Sequence, residues 1–215
     1  MQIAFPLFEG FTALDAIGPY TVLARLRGAE AIFVAEQRGP VRDDLALTAQ
    51  ADASFDEVTR PDIILVPGGL VTRRMARDGH PAIDWIRQVH PTTTWTTSVC
   101  TGAVLLAAAG VLEGLEATTH WVAYDQLNAL GARPTAERVV VSGKVVTGAG
   151  VSAGIDMALT LAGIIAGPEV AQATQLVIEY DPQPPYDSGS PAKAPAALFA
   201  DVSSRMREAE ERTLA

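Results

Sequence analysis

The sequence predicts an α/β fold in which a mostly parallel sheet is covered by helices on both faces. Short uninterrupted apolar runs, of which IILV at residues 63–66 is the cleanest, are what parallel strands buried on both faces look like. These runs alternate along the chain with longer segments whose apolar residues recur at helical spacing. The runs also stop at glycine-containing turns, most sharply at Pro67-Gly68-Gly69.

Gln2 to Phe8 is the first such run, and Leu14 to Leu26 follows with helical periodicity. Pro19 inside that segment predicts a first turn or a kink, because proline lacks an N–H and crowds the preceding turn. Ala31 to Ala35 reads as a second strand, Val41 to Phe55 as a short hairpin or irregular excursion, and Asp62 to Val66 as a central strand. A helical stretch from Val71 to Val89 is interrupted at Gly79-His80-Pro81. The β-branched run Thr94 to Val99 leads directly into Cys100-Thr101-Gly102 and the small-residue segment AVLLAAAGVL, a strand, tight turn and helix in succession.

A helix is expected near His120 to Leu130, then two strands, Arg138 to Val141 and Lys144 to Thr147, joined through Ser142-Gly143. Ser152 to Ala166 and Pro168 to Ile178 carry helical spacing, with Pro168 placed for a first turn. Five prolines between Asp181 and Pro195 forbid regular structure there and predict an extended arm over 181–195, followed by a polar helix from Leu198 to Arg212. No repeat and no linker divides the chain, so residues 1–215 read as one domain.

Composition narrows function. With 48% hydrophobic and 19% charged residues the chain can bury a sizeable core. Its 16 basic and 25 acidic residues give a net charge of −9, which opposes binding to nucleic acid or anionic membrane. The single cysteine excludes an internal disulfide framework and a cysteine-cluster zinc site, and fits a reducing cytoplasm. The N-terminus lacks a basic segment ahead of an apolar one, and Ala103 to Leu112 falls short of the about 20 residues a membrane span needs.

The chemistry-bearing candidates lie where strands end, the usual location of α/β sites. Cys100 stands at a strand-to-helix junction resembling a nucleophile elbow, although without the GxSxG pattern. A helix starting at Cys100 or Thr101 would aim N–H groups at the sulfur and favour thiolate; the other reading is ordinary packing of a buried cysteine. Gly68 and Gly69 form either an ordinary turn or an oxyanion hole in which the Gly69 and Thr101 N–H groups meet developing charge. Asp15, in an otherwise apolar helix start, is either a cap or a buried acid and base. His120 is the one histidine in a position to act as base, a structural histidine being the other reading; His80 and His90 read as exposed loop residues. No metal-ligand spacing, GxGxxG or Walker loop is present, so the chemistry reads as cofactor-free and metal-free.

FTALDAIGPY, ILVPGG, TTSVCTGA, ATTHW and VVTGAGVSAGIDMAL occur in an order and spacing that resembles the DJ-1/PfpI superfamily over about residues 1 to 180. Asp15, Thr101 after the cysteine and the arm EYDPQPPYDSGSP look most like its isocyanide hydratases. The resemblance implies a flavodoxin-like sandwich, a homodimer, a catalytic cysteine at Cys100 and an isocyanide substrate hydrated to an N-substituted formamide. Thr101 stands where protease-like members carry histidine, which argues against a Cys-His peptidase. Asp15 replaces the glutamate of DJ-1 proteins proper, which argues against a glyoxalase or deglycase. Sensor domains of AraC-type regulators share the Asp, Thr and ATTHW pattern, so a non-enzymatic ligand or redox sensor is the competing expectation. A DNA-binding region of paired helix-turn-helix motifs is not apparent before Ala215, and the charge opposes one.

Overall fold

The computed structural model describes residues 1–214. In chain order the elements are β1 (Gln2–Pro6), α1 (Ala13–Leu23), β2 (Glu30–Ala35), β3 (Gly39–Arg42), β4 (Thr48–Ala51), β5 (Ala53–Ser54), β6 (Ile63–Val66), α2 (Thr72–Asp78) and α3 (Pro81–Val89). There follow β7 (Trp95–Val99), α4 (Gly102–Ala108), β8 (Glu116–Ala117), α5 (Tyr124–Ala129), β9 (Arg133–Pro134), β10 (Val139–Ser142), β11 (Val145–Gly148), α6 (Ala153–Ala166), α7 (Pro168–Val177) and α8 (Ala196–Leu214).

Seven strands form the central sheet in the order β10-β11-β7-β6-β1-β2-β5, parallel throughout except for the β10–β11 hairpin. The apolar runs serve two layers at once. Ile63 and Leu65 of β6 enter the core beneath α1 and α6, while Ile64 and Val66 enter the larger core that includes α3 and α4 residues. This is why IILV shows no polar alternation.

The strand order reverses between β1 and β6, because the chain adds β2 on one side of β1 and β6, β7 and β11 on the other. Register then aligns the carboxyl ends: Val66 pairs with Ser98, and Val99 with Gly148. The segments after β1, β6, β7 and β11 therefore emerge side by side.

Some expectations are corrected and others narrowed. Of the two alternatives expected for Pro19 the first turn is excluded: it lies inside α1, with its ring against Gly154, where an added Cβ would lie 3.1 Å from Pro19 Cγ. Gly154 and Gly18 are the small residues that let α1 lie close against α6. Of the hairpin or irregular excursion expected over Val41 to Phe55, the hairpin is present, as β3–β4 over residues 39–51, and β8 pairs with β9 in a two-residue ladder that no periodicity signals. His80 and His90 are half-buried: His80 Nδ1 accepts the Ala82 N–H at 3.1 Å as cap of α3, and His90 Nδ1 meets Thr96 Oγ1 at 2.8 Å.

Residues 181–195 contain neither helix nor strand. Beyond them α8 docks on its own chain, through Arg73 to Glu210 and through Phe199 against Trp121, ring centroids 5.3 Å apart. Among the described residues, no helix is long and apolar enough to cross a membrane.

Candidate active site

Cys100 occupies the turn between β7 and α4 with φ 56, a left-handed conformation that a non-glycine residue adopts only when its surroundings hold it there. Both of its backbone groups are held. Its N–H donates to Ala149 O at 2.8 Å and Gly148 O at 3.1 Å, and its carbonyl accepts the Thr119 hydroxyl at 2.8 Å. The elbow predicted from TTSVCTGA is thus real, although α4 begins at Gly102, with Thr101 in the cap position. Only glycine fits at 102, since a Cβ there would lie 2.2 Å from Val66 O.

The loop after β6 brings the glycines alongside. Gly68 N–H donates to Asp15 Oδ2 at 2.9 Å, and Gly69 N–H donates to Thr101 Oγ1 at 3.0 Å. The Thr101 hydroxyl in turn donates to Gly69 O at 3.0 Å. Both glycine N–H groups are therefore engaged in holding Asp15 and Thr101. The groups that favour the sulfur's anion are the Val151 and Thr101 N–H groups and the Thr101 hydroxyl. Val151 follows β11, has φ 24 and is β-branched, a strained combination. Sequence reasoning missed it, because a left-handed valine between Gly150 and Ser152 leaves no mark on propensity.

Asp15 is fully buried, and its Oδ1 has no hydrogen-bond partner among the described residues. Burial pushes its pKa up to about 7, against the opposing influence of the Gly68 N–H and the Cys100 thiol. The thiol is also raised, by its own burial first and by the Asp15 charge second, against the pull of the Val151 and Thr101 groups. The helix-terminus argument for a resting thiolate is outweighed here by desolvation. Burial thus pushes both groups toward their neutral forms, against the hydrogen bonds that favour their anions.

His120 stands apart from this pair. Its Nδ1 accepts the Val122 N–H at 3.4 Å, its ring tilts on Trp121, and burial lowers its pKa, so it is neutral. It lies over Gly150, where an added Cβ would meet His120 Cδ2 at 2.6 Å, and the described residues include no hydrogen bond from it to Cys100. Among the described residues, no three His, Cys, Asp or Glu side chains cluster as metal ligands would.

Residues 1–163 match the DJ-1/PfpI family. The chain belongs to that family. Among DJ-1/PfpI relatives, an isonitrile hydratase from Pseudomonas putida is 42% identical over 205 residues, 95% of this chain and 90% of that protein. The crystal structure of a ThiJ/PfpI family protein from Pseudomonas syringae superposes with a TM-score of 0.92 at 33% identity, covering 99% of this chain and 88% of the other. The HTH-type transcriptional regulator CdhR of Pseudomonas aeruginosa is 31% identical over 78% of this chain, a match spanning 51% of that protein. The DJ-1/PfpI sandwich expected from the motifs is the observed fold.

Proposed function

We propose that this DJ-1/PfpI protein is a cysteine-dependent, cofactor-free isocyanide hydratase, which adds water to an isocyanide to give an N-substituted formamide. The observation that carries the reading is the buried pair of Cys100 and Asp15, the latter titrating at about 7. The likeness to the isonitrile hydratase over 95% of the chain supports the substrate class.

The terminal carbon of an isocyanide accepts a nucleophile and must then gain a proton. Asp15 in its carboxylate form takes the thiol proton as Cys100 sulfur bonds to that carbon, and returns the proton to the carbon. The product is a thioimidate, R–N=CH–S-Cys100, with no atom gained or lost beyond the two reactants. Asp15 then takes a proton from water as the oxygen adds to the same carbon. Asp15 passes that proton to the nitrogen, and as the C–S bond breaks the adduct's hydroxyl proton is carried to sulfur, releasing R–NH–CHO and restoring the thiol. Val151 and Thr101 N–H groups face the charge that develops on sulfur. Gly68 and Gly69 orient Asp15 and Thr101 rather than meeting substrate charge themselves.

The test is turnover of cyclohexyl and aryl isocyanides by the purified protein, read as formamide. The kinship with a transcriptional regulator favours a second reading, a non-catalytic ligand sensor. Binding of isocyanide without any formamide would select it.

The reading includes a cytoplasmic homodimer. Leu14 and Tyr20 of α1, Ile164 of α6 and Leu176 and Val177 of α7 are exposed on helices that pack together, Leu176 at 80%. Exposed apolar residues on neighbouring helices suit an isologous contact. Light scattering at micromolar concentration should give twice the mass of one chain; a monomer would retract the dimer.

A further inference from the structure

The strained turn Ala149–Ser152 is held in part by α6 backbone bonds, Ala153 N–H to Gly150 O at 2.9 Å and Gly154 N–H to Val151 O at 3.2 Å, although Ser152, the cap residue, makes no side-chain capping bond. One further residue grips the turn from both ends. The Arg138 carbonyl, just before β10, accepts the Ala149 N–H at 2.9 Å. Its guanidinium donates Nε–H to Asp156 Oδ2 at 2.6 Å and Nη2–H to Ser152 Oγ at 3.3 Å, one turn into α6. Tyr180 OH donates to the same Asp156 oxygen at 3.1 Å, which fixes the carboxylate. Ala149 O, in turn, accepts the Cys100 N–H. A continuous path of bonds thus runs from the Arg138 carbonyl through Ala149 to the nucleophile, while its side chain fixes the residues that follow Val151.

We infer that Arg138 is a positioning residue, which by holding Ala149 on one side and Ser152 and Asp156 on the other keeps the Val151 N–H against the Cys100 sulfur. A φ of 24 in a β-branched residue persists only where the surroundings over-determine it. Without the grip the turn relaxes and the sulfur loses a donor that favours its anion. As a surface ion pair Arg138–Asp156 contributes little to stability, its two side chains being 52% and 32% exposed. Its effect is local to the sulfur. The other ionisable groups near the elbow are Asp15 from α1 and His120, which lies over Gly150; the partners of Asp15 and His120 are Gly68 N–H and Val122 N–H, not Arg138.

The consequence for turnover rests on the hydratase reading, but the direct readout is the thiol itself. Below the thiol's pKa, alkylation by iodoacetamide is proportional to the thiolate fraction, so one unit of upward displacement slows it tenfold. The experiment compares alkylation rate against pH for the wild type, Arg138→Gln, Arg138→Lys and Asp156→Asn, with circular dichroism as the check on folding. Arg138→Gln and Asp156→Asn should react at least about threefold more slowly at a given pH, the scale of one weakened charge-assisted hydrogen bond. Arg138→Lys, which retains the Asp156 pairing, should recover part of the rate. A folded Asp156→Asn or Arg138→Gln variant that alkylates at the wild-type rate, or faster, overturns the inference. Slowed alkylation in a protein that never forms formamide would leave the positioning role standing and remove the hydratase.

Discussion

Asp15 Oδ2 accepts the Gly68 N–H at 2.9 Å across 53 residues of chain, while the other oxygen of that carboxyl is left without a partner. A buried carboxyl with one oxygen anchored and the other open is placed to exchange protons. Asp15→Asn preserves size but cannot exchange one, so kcat should fall by about 10²-fold. The wild-type pH profile should show a limb near pH 7 that belongs to the Asp15–Cys100 pair and is absent in the variant. Full activity in Asp15→Asn would reduce Asp15 to a core hydrogen-bonder.

The same burial makes a stability prediction of definite sign. The folded state holds the Asp15 proton up to about pH 7, whereas the unfolded chain releases it near 3.8. Asp15 therefore favours folding fully below pH 3.8, and that contribution is lost as pH rises through 7, by up to about 4 kcal/mol. Urea melts should show the Asp15→Asn variant gaining stability relative to wild type between pH 4 and pH 8. A constant difference across that range would mean that the carboxyl is ionised in the fold.

Gly68 leaves no room for a side chain. A Cβ there would lie 2.6 Å from Thr101 N and 2.9 Å from Asp15 Oδ2, so Gly68→Ala must push apart the two loops that define the site. We expect formamide production to fall at least about tenfold, with about 1–3 kcal/mol lost from stability. Unchanged kinetics would show that this contact is not what places Asp15.

His120 separates this account from a Cys-His-Asp hydrolase, in which loss of the histidine costs several orders of magnitude. Its neutral ring is bonded to Val122 N–H and not to the sulfur. His120→Asn should lower formamide production by less than about tenfold and leave iodoacetamide alkylation largely unchanged. A silent enzyme with a thiol restored to ordinary reactivity would make His120 the base.

Much of this site was legible because it is local. Gly68, Gly69, Cys100 and Thr101 lie just after strands that their apolar runs announced, Asp15 lies in the first turn of the helix that follows β1, and a parallel sheet delivers all these segments to one edge. What escaped depends on contacts between distant segments. Val151 is an unremarkable valine until its φ is known, and the grip of Arg138 on Ala149, Ser152 and Asp156 joins residues whose spacing resembles no motif. Pro19 is tolerated inside α1, where its ring packs against Gly154. The desolvation of Cys100 was not legible for a related reason: the helix terminus is visible in the sequence, whereas burial of the sulfur exists only once α1 and α6 close over it.

The most direct test of covalent catalysis at Cys100 is intact-mass spectrometry, with formamide measured in parallel, on protein quenched during turnover of cyclohexyl isocyanide. The wild type should carry a species heavier by one isocyanide, as addition of S–H across the terminal carbon requires. Cys100→Ala should show neither adduct nor product, and Cys100→Ser at most a trace, because a hydroxyl is far less ionised than a thiol. Formamide production by folded Cys100→Ala at a rate close to wild type would contradict the account.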